Sequence, residues 1–185
     1  MVKKKAIFLD RDGTLTKDQG YVHNIEDFEL LPGVIEGLKL LKKDYIFLII
    51  TNQPGIGMGV YTWADFAMFQ GRVLTELSEN DITIEKTYVC GHAPDAGCEC
   101  RKPSTVNLDK AVKVYKIDVA KSWVIGDHPS DVQLGINAGC RTVYLCTGHG
   151  ESHYPDLRKK SITPTFICRD FYSAAEKIVQ SLQKE

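Results

Sequence analysis

The chain lacks long hydrophobic runs, an excess of either charge and any linker-like stretch, and each absence removes a class of protein. The apolar run after the basic start Met1-Val2-Lys3-Lys4-Lys5 ends after four residues at Asp10. That is too short for the core of a signal peptide or for a membrane-spanning helix, so neither is expected. Lysine and arginine number 23 against 24 acids, giving a formal net charge of -1 and a pI near 6.5. No field of one sign is therefore available to hold nucleic acid or an anionic membrane, although a local basic pocket stays open. No Pro/Gly/Ser-rich linker and no repeat divides the chain. With 43% hydrophobic and 25% charged residues, one domain over 1–185 with an ordinary core is expected. The C-x-x-C spacing of a redox pair is also missing.

What is present begins with Asp10-Arg11-Asp12-Gly13-Thr14, directly after the apolar run Ala6-Ile7-Phe8-Leu9. A short all-apolar run ending in a turn predicts a central parallel strand covered on both faces, and open α/β sheets bind ligands just beyond such strand ends. The spacing of Asp10 and Asp12, with Gly13 next, lets the backbone bring both acids around one point, where their repulsion calls for a divalent cation. A solvated strand end is the plain alternative. A calcium loop fails by residue, since Thr14 and Leu15 stand where Asp or Asn and then Gly are needed.

Strand and helix then alternate. A turn-rich loop, Asp18-Gln19-Gly20-Tyr21-Val22-His23, is a lid or a connection; Pro32 opens a helix, and residues 45–50 form a second buried strand ending at Thr51-Asn52-Gln53. The glycines at 55, 57 and 59 miss the dinucleotide pattern, because Val60 replaces its third glycine, and predict a flexible loop. Thr62 caps a helix with Trp63, Phe66, Gln70, Val73 and Leu77 on its inner face. A strand around 86–90, a helix opening at Ser104, a strand at 122–126, a helix to Gly139, strands at 140–145 and 165–168, and a last amphipathic helix complete the pattern. Asp127 and Asp131 put further carboxylates at a strand end.

The cysteines divide by spacing. Cys90, His92, Cys98 and Cys100 are four soft ligands within eleven residues, suited to one tetrahedral zinc ion. Two buried thiols with a surface histidine is the plain alternative. Cys140, Cys146 and Cys168 read as core thiols of a reducing cytoplasm. Arg101 and Lys102 follow the last ligand directly, so rigid attachment would aim two cations at an anion.

Together these motifs resemble the haloacid dehalogenase superfamily of phosphatases over nearly the whole chain. Asp10-Arg11-Asp12-Gly13-Thr14 is similar to its first motif, Thr51 to its second, Lys102 to its third, and Gly126-Asp127 with Asp131 to its fourth. The cysteine–histidine loop and Asp18 to His23 resemble the branch of heptose 1,7-bisphosphate 7-phosphatases, with histidinol-phosphate phosphatases a near relation. The resemblance implies a Rossmann-like parallel sheet with helices on both faces, a minimal cap and a zinc-binding loop. It further implies a monomer acting on a small phosphorylated metabolite, a sugar bisphosphate. Three departures stand out: Met58 where those enzymes carry arginine, Ser104-Thr105-Val106-Asn107 in place of a Pro-Gly-Met stretch, and His128 in place of a lysine.

The expected chemistry follows. An aspartate of ordinary pKa, about 3.9, is ionised at neutral pH, so Asp10 attacks phosphorus without a base and forms an aspartyl-phosphate. Asp12, raised in pKa by its neighbour, protonates the leaving oxygen and later takes a proton from water. Mg²⁺ held by Asp10, Asp127 and the Asp12 carbonyl, with Lys102 and Thr51, neutralises the phosphate. By resemblance Asp18, Gln19, Gly20, Tyr21, Asn52, Gln53 and Arg101 reach the rest of the substrate, Arg11 and His128 join them, and Asp131 braces the metal loop. A zinc-stabilised binding module, a phosphomutase and a dehalogenase are the alternatives. The mutase lacks a cap-sized insertion, and a dehalogenase has no use for Asp12.

Overall fold

The computed structural model describes residues 3–183; Met1 and Val2 of the basic start, and residues 184 and 185, lie outside the described residues. Its six strands are β1 (Ala6–Leu9), β2 (Ile46–Asn52), β3 (Ile84–Cys90), β4 (Trp123–Gly126), β5 (Arg141–Leu145) and β6 (Phe166–Cys168). They form one all-parallel sheet in the order β3-β2-β1-β4-β5-β6. β1 is central and wholly buried, as its unbroken apolar run requires.

Alternation along the strands sorts side chains to the two faces. Ile7 and Leu9 of β1 join Phe47, Ile49, Trp123 and Ile125 on one face, under α1 (Val34–Leu41), α3 (Trp63–Glu79) and α7 (Phe171–Leu182). Ala6 and Phe8 point the other way, with Leu48, Ile50 and Val124, under α4 (Val106–Tyr115) and α5 (Pro129–Ala138). The strand order reverses between β1 and β4, and such a switch point leaves a crevice beyond the strand ends. Leu9 pairs with Ile125 and the Asp10 N–H donates to the Ile125 carbonyl at 3.0 Å, so the residues after β1 and β4 emerge side by side.

Several local expectations change. The glycine stretch after Gln53 is not a flexible loop: Pro54 opens a single helical turn, α2 (Pro54–Gly57). Thr62 does cap α3, in a reciprocal box with Asp65, but Trp63 is 55% exposed rather than in the core. Its ring lies over Gly91, where an added Cβ would come within 2.6 Å of it, so Trp63 covers the cysteine loop. The helix expected at Pro32 begins at Val34, and the one expected at Ser104 begins at Val106. α6 (Gly150–Lys159) had no counterpart among the expected elements, because Pro155 inside it and its polar composition mask the helical period. Cys140 and Cys168 are buried, whereas Cys146 is only half-buried.

The packing of α5 on the sheet generates a test. A Cβ at Gly135 would stand 2.3 Å from Thr142 Cγ2 and 3.2 Å from Val124, whereas one at Gly71, in the middle of α3, meets nothing within 4 Å. Alanine is the better helix former by about 0.8–1.0 kcal/mol, so Gly71→Ala is expected to raise Tm. Gly135→Ala is expected to lower it, overpacking costing about 1–3 kcal/mol against the same propensity gain. Thermal melts of the two variants check the opposite signs.

Candidate active site

The crevice between β1 and β4 gathers carboxylates that the chain separates by more than a hundred residues. Oxygens of Asp10, Asp127 and Asp131 all lie within 4.8 Å of one another. Lys102, buried, reaches between them: its Nζ is 2.6 Å from Asp10 Oδ1 and 2.7 Å from Asp131 Oδ1, and it donates to the Ile50 carbonyl at 2.9 Å. These carboxylates hold the Lys102 ammonium well above its ordinary pKa despite burial. One lysine does not balance three acids. Burial, only partly offset by Lys102, and repulsion from Asp131 and Asp12 push Asp10 up to about 7. Burial and repulsion from Asp10 and Asp131 push Asp127 up to about 9. Asp10 is therefore not the freely ionised carboxylate expected from its ordinary pKa. A buried set of acids this short of positive charge fits a divalent cation. The loop after β5 shapes the same set, the His149 N–H donating to Asp127 Oδ2 at 2.9 Å and Thr147 Oγ1 to the Gly13 carbonyl at 2.6 Å. Gly13 sits at φ +80, and a Cβ there would strike Asp127 Oδ2 at 2.1 Å.

Asp12 is held differently. Arg11 donates to both of its oxygens, Nε to Oδ1 at 2.7 Å and Nη2 to Oδ2 at 2.8 Å, and Gln53 Nε2 donates to Oδ2 at 2.7 Å. Arg11 was expected to bind substrate, but it is fully buried behind Asp12 and does not line the pocket. Gln53 also donates to Thr51 Oγ1 at 2.8 Å and receives the Tyr61 hydroxyl, so its side chain is spent within the protein. Asn52 is similarly occupied: its Oδ1 accepts from the Lys102 N–H at 3.1 Å and its Nδ2 donates to the Lys102 carbonyl at 3.5 Å.

A cavity of about 450 Å³ opens above this floor, within the range for a small-molecule site, and its lining includes Asp10, Asp12, Thr51, Arg101, Lys102 and Asp127. Asp18, Gly20 and Tyr21 form part of its wall, with Asp18 Oδ1 accepting from the Gly20 N–H at 2.7 Å; Gln19 is not in the lining. Arg101 Nη1 is buried without a hydrogen-bond partner, a donor suited to an anion. His128 lines the cavity, but its Nδ1 accepts from the Ser130 N–H at 3.1 Å and caps α5, and burial lowers its pKa. Asp131 completes that cap from its Oδ2, in keeping with a brace. His149 and Tyr61 also line the cavity and were missed. His149 Nε2 lies 3.3 Å from Asp18 Oδ2. The available signal for His149 was Thr147-Gly148-His149, a turn directly after a strand in a fold whose strand ends carry the site.

The second cluster closes where the spacing places it. Ligand atoms of Cys90, His92, Cys98 and Cys100 lie within 4.8 Å of one another, with Cys90 Sγ 3.5 Å from Cys98 Sγ and Cys100 Sγ 3.3 Å from His92 Nδ1. Burial pushes the Cys90 thiol up to about 12, so a thiolate there needs a cation beside it. Three sulfurs and one imidazole nitrogen converging at these separations fit a tetrahedral ion.

Known proteins resemble this chain in sequence and fold. The HAD-hydrolase-like family matches residues 99–174. The D-glycero-alpha-D-manno-heptose-1,7-bisphosphate 7-phosphatase of Campylobacter jejuni is 43% identical over 145 residues, 78% of this chain and 83% of the relative. The D-glycero-beta-D-manno-heptose-1,7-bisphosphate 7-phosphatase of Haemophilus influenzae is 39% identical over 160 residues, 80% and 87% of the two chains. The crystal structure of the D,D-heptose 1,7-bisphosphate phosphatase of B. bronchiseptica, complexed with magnesium and phosphate, superposes with a TM-score of 0.86 at 28% identity, covering 96% of this chain and 99% of that one.

The charge deficit has a measurable consequence. Asp10 and Asp127 rise from 3.8 to about 7 and about 9, so between those values the folded state binds more protons than the unfolded chain. Stability present at low pH is then lost as pH rises through about 7 and about 9. In magnesium-free buffer, Tm is expected to fall from pH 6 to pH 9, at about 2–4 °C per kcal/mol. Excess magnesium should raise Tm more at pH 9 than at pH 6; an equal rise at both would contradict the coupling.

Proposed function

The chain belongs to the haloacid dehalogenase-like phosphatases, and from that premise we propose that it removes the 7-phosphate of D-glycero-D-manno-heptose 1,7-bisphosphate through an aspartyl-phosphate on Asp10. The observation that carries this reading is Lys102 Nζ lying between Asp10 and Asp131, on the floor of a cavity whose wall holds the unpartnered Arg101 Nη1. Relatives named for that substrate, at 39–43% identity over about four fifths of the chain, support it.

Asp10 attacks phosphorus, and its ionisation at neutral pH depends on further positive charge beside it, since burial and repulsion from Asp131 and Asp12 hold it near 7 even with Lys102 in contact. Asp10, Asp127 and the Asp12 carbonyl would hold Mg²⁺, with Asp131 bracing the cluster through Lys102 and the His128 N–H, and the ion would supply the charge that lets a phosphate dianion approach. Lys102 and Thr51 face the phosphoryl oxygens. Asp12, at the cavity wall, gives a proton to the leaving sugar oxygen and takes one from the hydrolytic water. Arg101 takes the second phosphate, while Asp18 and Tyr21 meet hydroxyls. His128 contributes its ring face and Gln19 no side-chain contact. Cys90, His92, Cys98 and Cys100 hold a structural zinc, because four protein ligands leave no place for an activated water. Reduced cysteines of that kind suit a cytoplasmic enzyme.

Phosphate release across sugar bisphosphates, sugar monophosphates and histidinol phosphate, with magnesium, tests the assignment. The heptose bisphosphate is expected to give the highest kcat/KM, and an equal or higher value on histidinol phosphate would overturn it. Asp10→Asn should remain folded and lose essentially all turnover. More than about a tenth of the wild-type rate would exclude a covalent nucleophile there.

Zinc acts through position in this reading. Cys100 precedes Lys102 by two residues, and the Asn52 clamp ties the Lys102 backbone to the end of β2. Zinc binding worth roughly 10–16 kcal/mol in zinc-finger peptides is ample to order such a loop. Cys100→Ser should lose zinc, keep its circular dichroism and lose most activity with magnesium in excess. A zinc-free variant at wild-type rate would contradict this.

A further inference from the structure

We propose that Arg11 is a positioning residue that fixes the plane of the Asp12 carboxylate; the inference rests on the reading of Asp12 as the general acid and base. A fully buried guanidinium is costly unless its hydrogen bonds are placed, and here the two shortest both serve one neighbour. Nε and Nη2 grip Asp12 Oδ1 and Oδ2 at 2.7 and 2.8 Å, and Nη2 also reaches Gln53 Oε1 at 3.1 Å and the Val22 carbonyl at 3.3 Å. Nη1 has no hydrogen-bond partner. The guanidinium carbon instead lies 4.7 Å from the ring centre of Phe69 and 5.3 Å from that of Phe66, both on α3. The cation is thus seated on two aromatic faces of a rigid helix, and its fork can present only one orientation to Asp12.

The rest of the cluster completes the constraint. Gln53 Nε2 bonds the same Oδ2 at 2.7 Å, and Thr16 Oγ1 donates to Oδ1 at 3.2 Å. A carboxylate offers about four lone-pair sites; the single proton of the Thr16 hydroxyl can turn instead to the Arg11 carbonyl at 3.4 Å, which frees the site on Oδ1 where Asp12 carries its proton. Asp12 therefore cannot rotate about its last bond without breaking the fork. A proton delivered to the leaving oxygen in transit needs that fixed direction, because general acid catalysis is lost when donor and acceptor are misaligned.

The role predicts a dependence on leaving group that a purely structural ion pair would not produce. A sugar alkoxide must be protonated as it leaves, whereas the phenolate of para-nitrophenyl phosphate leaves without a proton. Lysine at position 11 keeps the charge but cannot grip both oxygens. In Arg11→Lys, kcat/KM on the heptose bisphosphate, or on the fastest alkyl phosphate of the panel, is expected to fall about 10- to 100-fold. On para-nitrophenyl phosphate it should fall by less than about threefold, the phenolate needing no general acid. Equal losses on both substrates, or no loss on either, would overturn the proposal. Asp12→Asn run alongside separates the two levels. If it shows no leaving-group dependence, the role of Asp12 fails; if it shows one and Arg11→Lys does not, only Arg11's role fails. Should Arg11→Lys not fold by circular dichroism, Phe69→Leu, which removes the nearer of the two aromatic faces and loosens the orientation of the fork, decides by the same ordering at smaller size.

Discussion

Like charges buried side by side are the constraint from which the rest of this structure follows. Three carboxylates converge where β1 and β4 end, in a crevice too dry to ionise them all, and Lys102 supplies the buried counter-charge within contact distance of two of them. The pKa of Asp10 near 7 and of Asp127 near 9 are the marks of that imbalance. A protein that stored such repulsion without use would gain stability by losing it. In the proposed reaction it has a use, because a cation that relieved the repulsion would also admit an anionic substrate.

Everything around the carboxylates limits their movement. The His149 amide holds Asp127, Asp131 is tied back to the His128 N–H, and Lys102 is gripped through its own backbone by Asn52. The cysteine loop immediately before Lys102 is covered by Trp63, which explains an aromatic so exposed at a helix start. Asp12 is set apart from this acid cluster by the opposite device, a buried guanidinium rather than a shared lysine. Two aspartates two residues apart thus occupy different electrostatic surroundings, as the proposed roles of nucleophile and acid require.

The legible part of the chain was the part governed by local pattern. All six strands were expected, the central ones from apolar runs, and helical spacing gave the face of α3 carrying Phe66, Gln70, Val73 and Leu77, all of them buried. The Thr62 cap was visible as well, because a capping box is written within four residues. α6 was missed, since a polar helix interrupted by Pro155 has little period to detect. With it went His149, which enters the cavity only because the loop after β5 folds back onto Gly13. Arg11 was misplaced for a related reason: sequence shows that it neighbours the acids, but not which side of them it lies on.

By itself the amino-acid sequence determined the parallel α/β class, the strand ends at which Asp10, Thr51 and Asp127 sit, and the clustering of Cys90, His92, Cys98 and Cys100, because each depends on spacing within a few residues. Tertiary structure alone decided which charges face one another. Only the order β3-β2-β1-β4-β5-β6 sets Asp10 beside Asp127 and brings Lys102 between Asp10 and Asp131. The pairing of charges depends on through-space distance and burial, and neither is a function of separation along the chain.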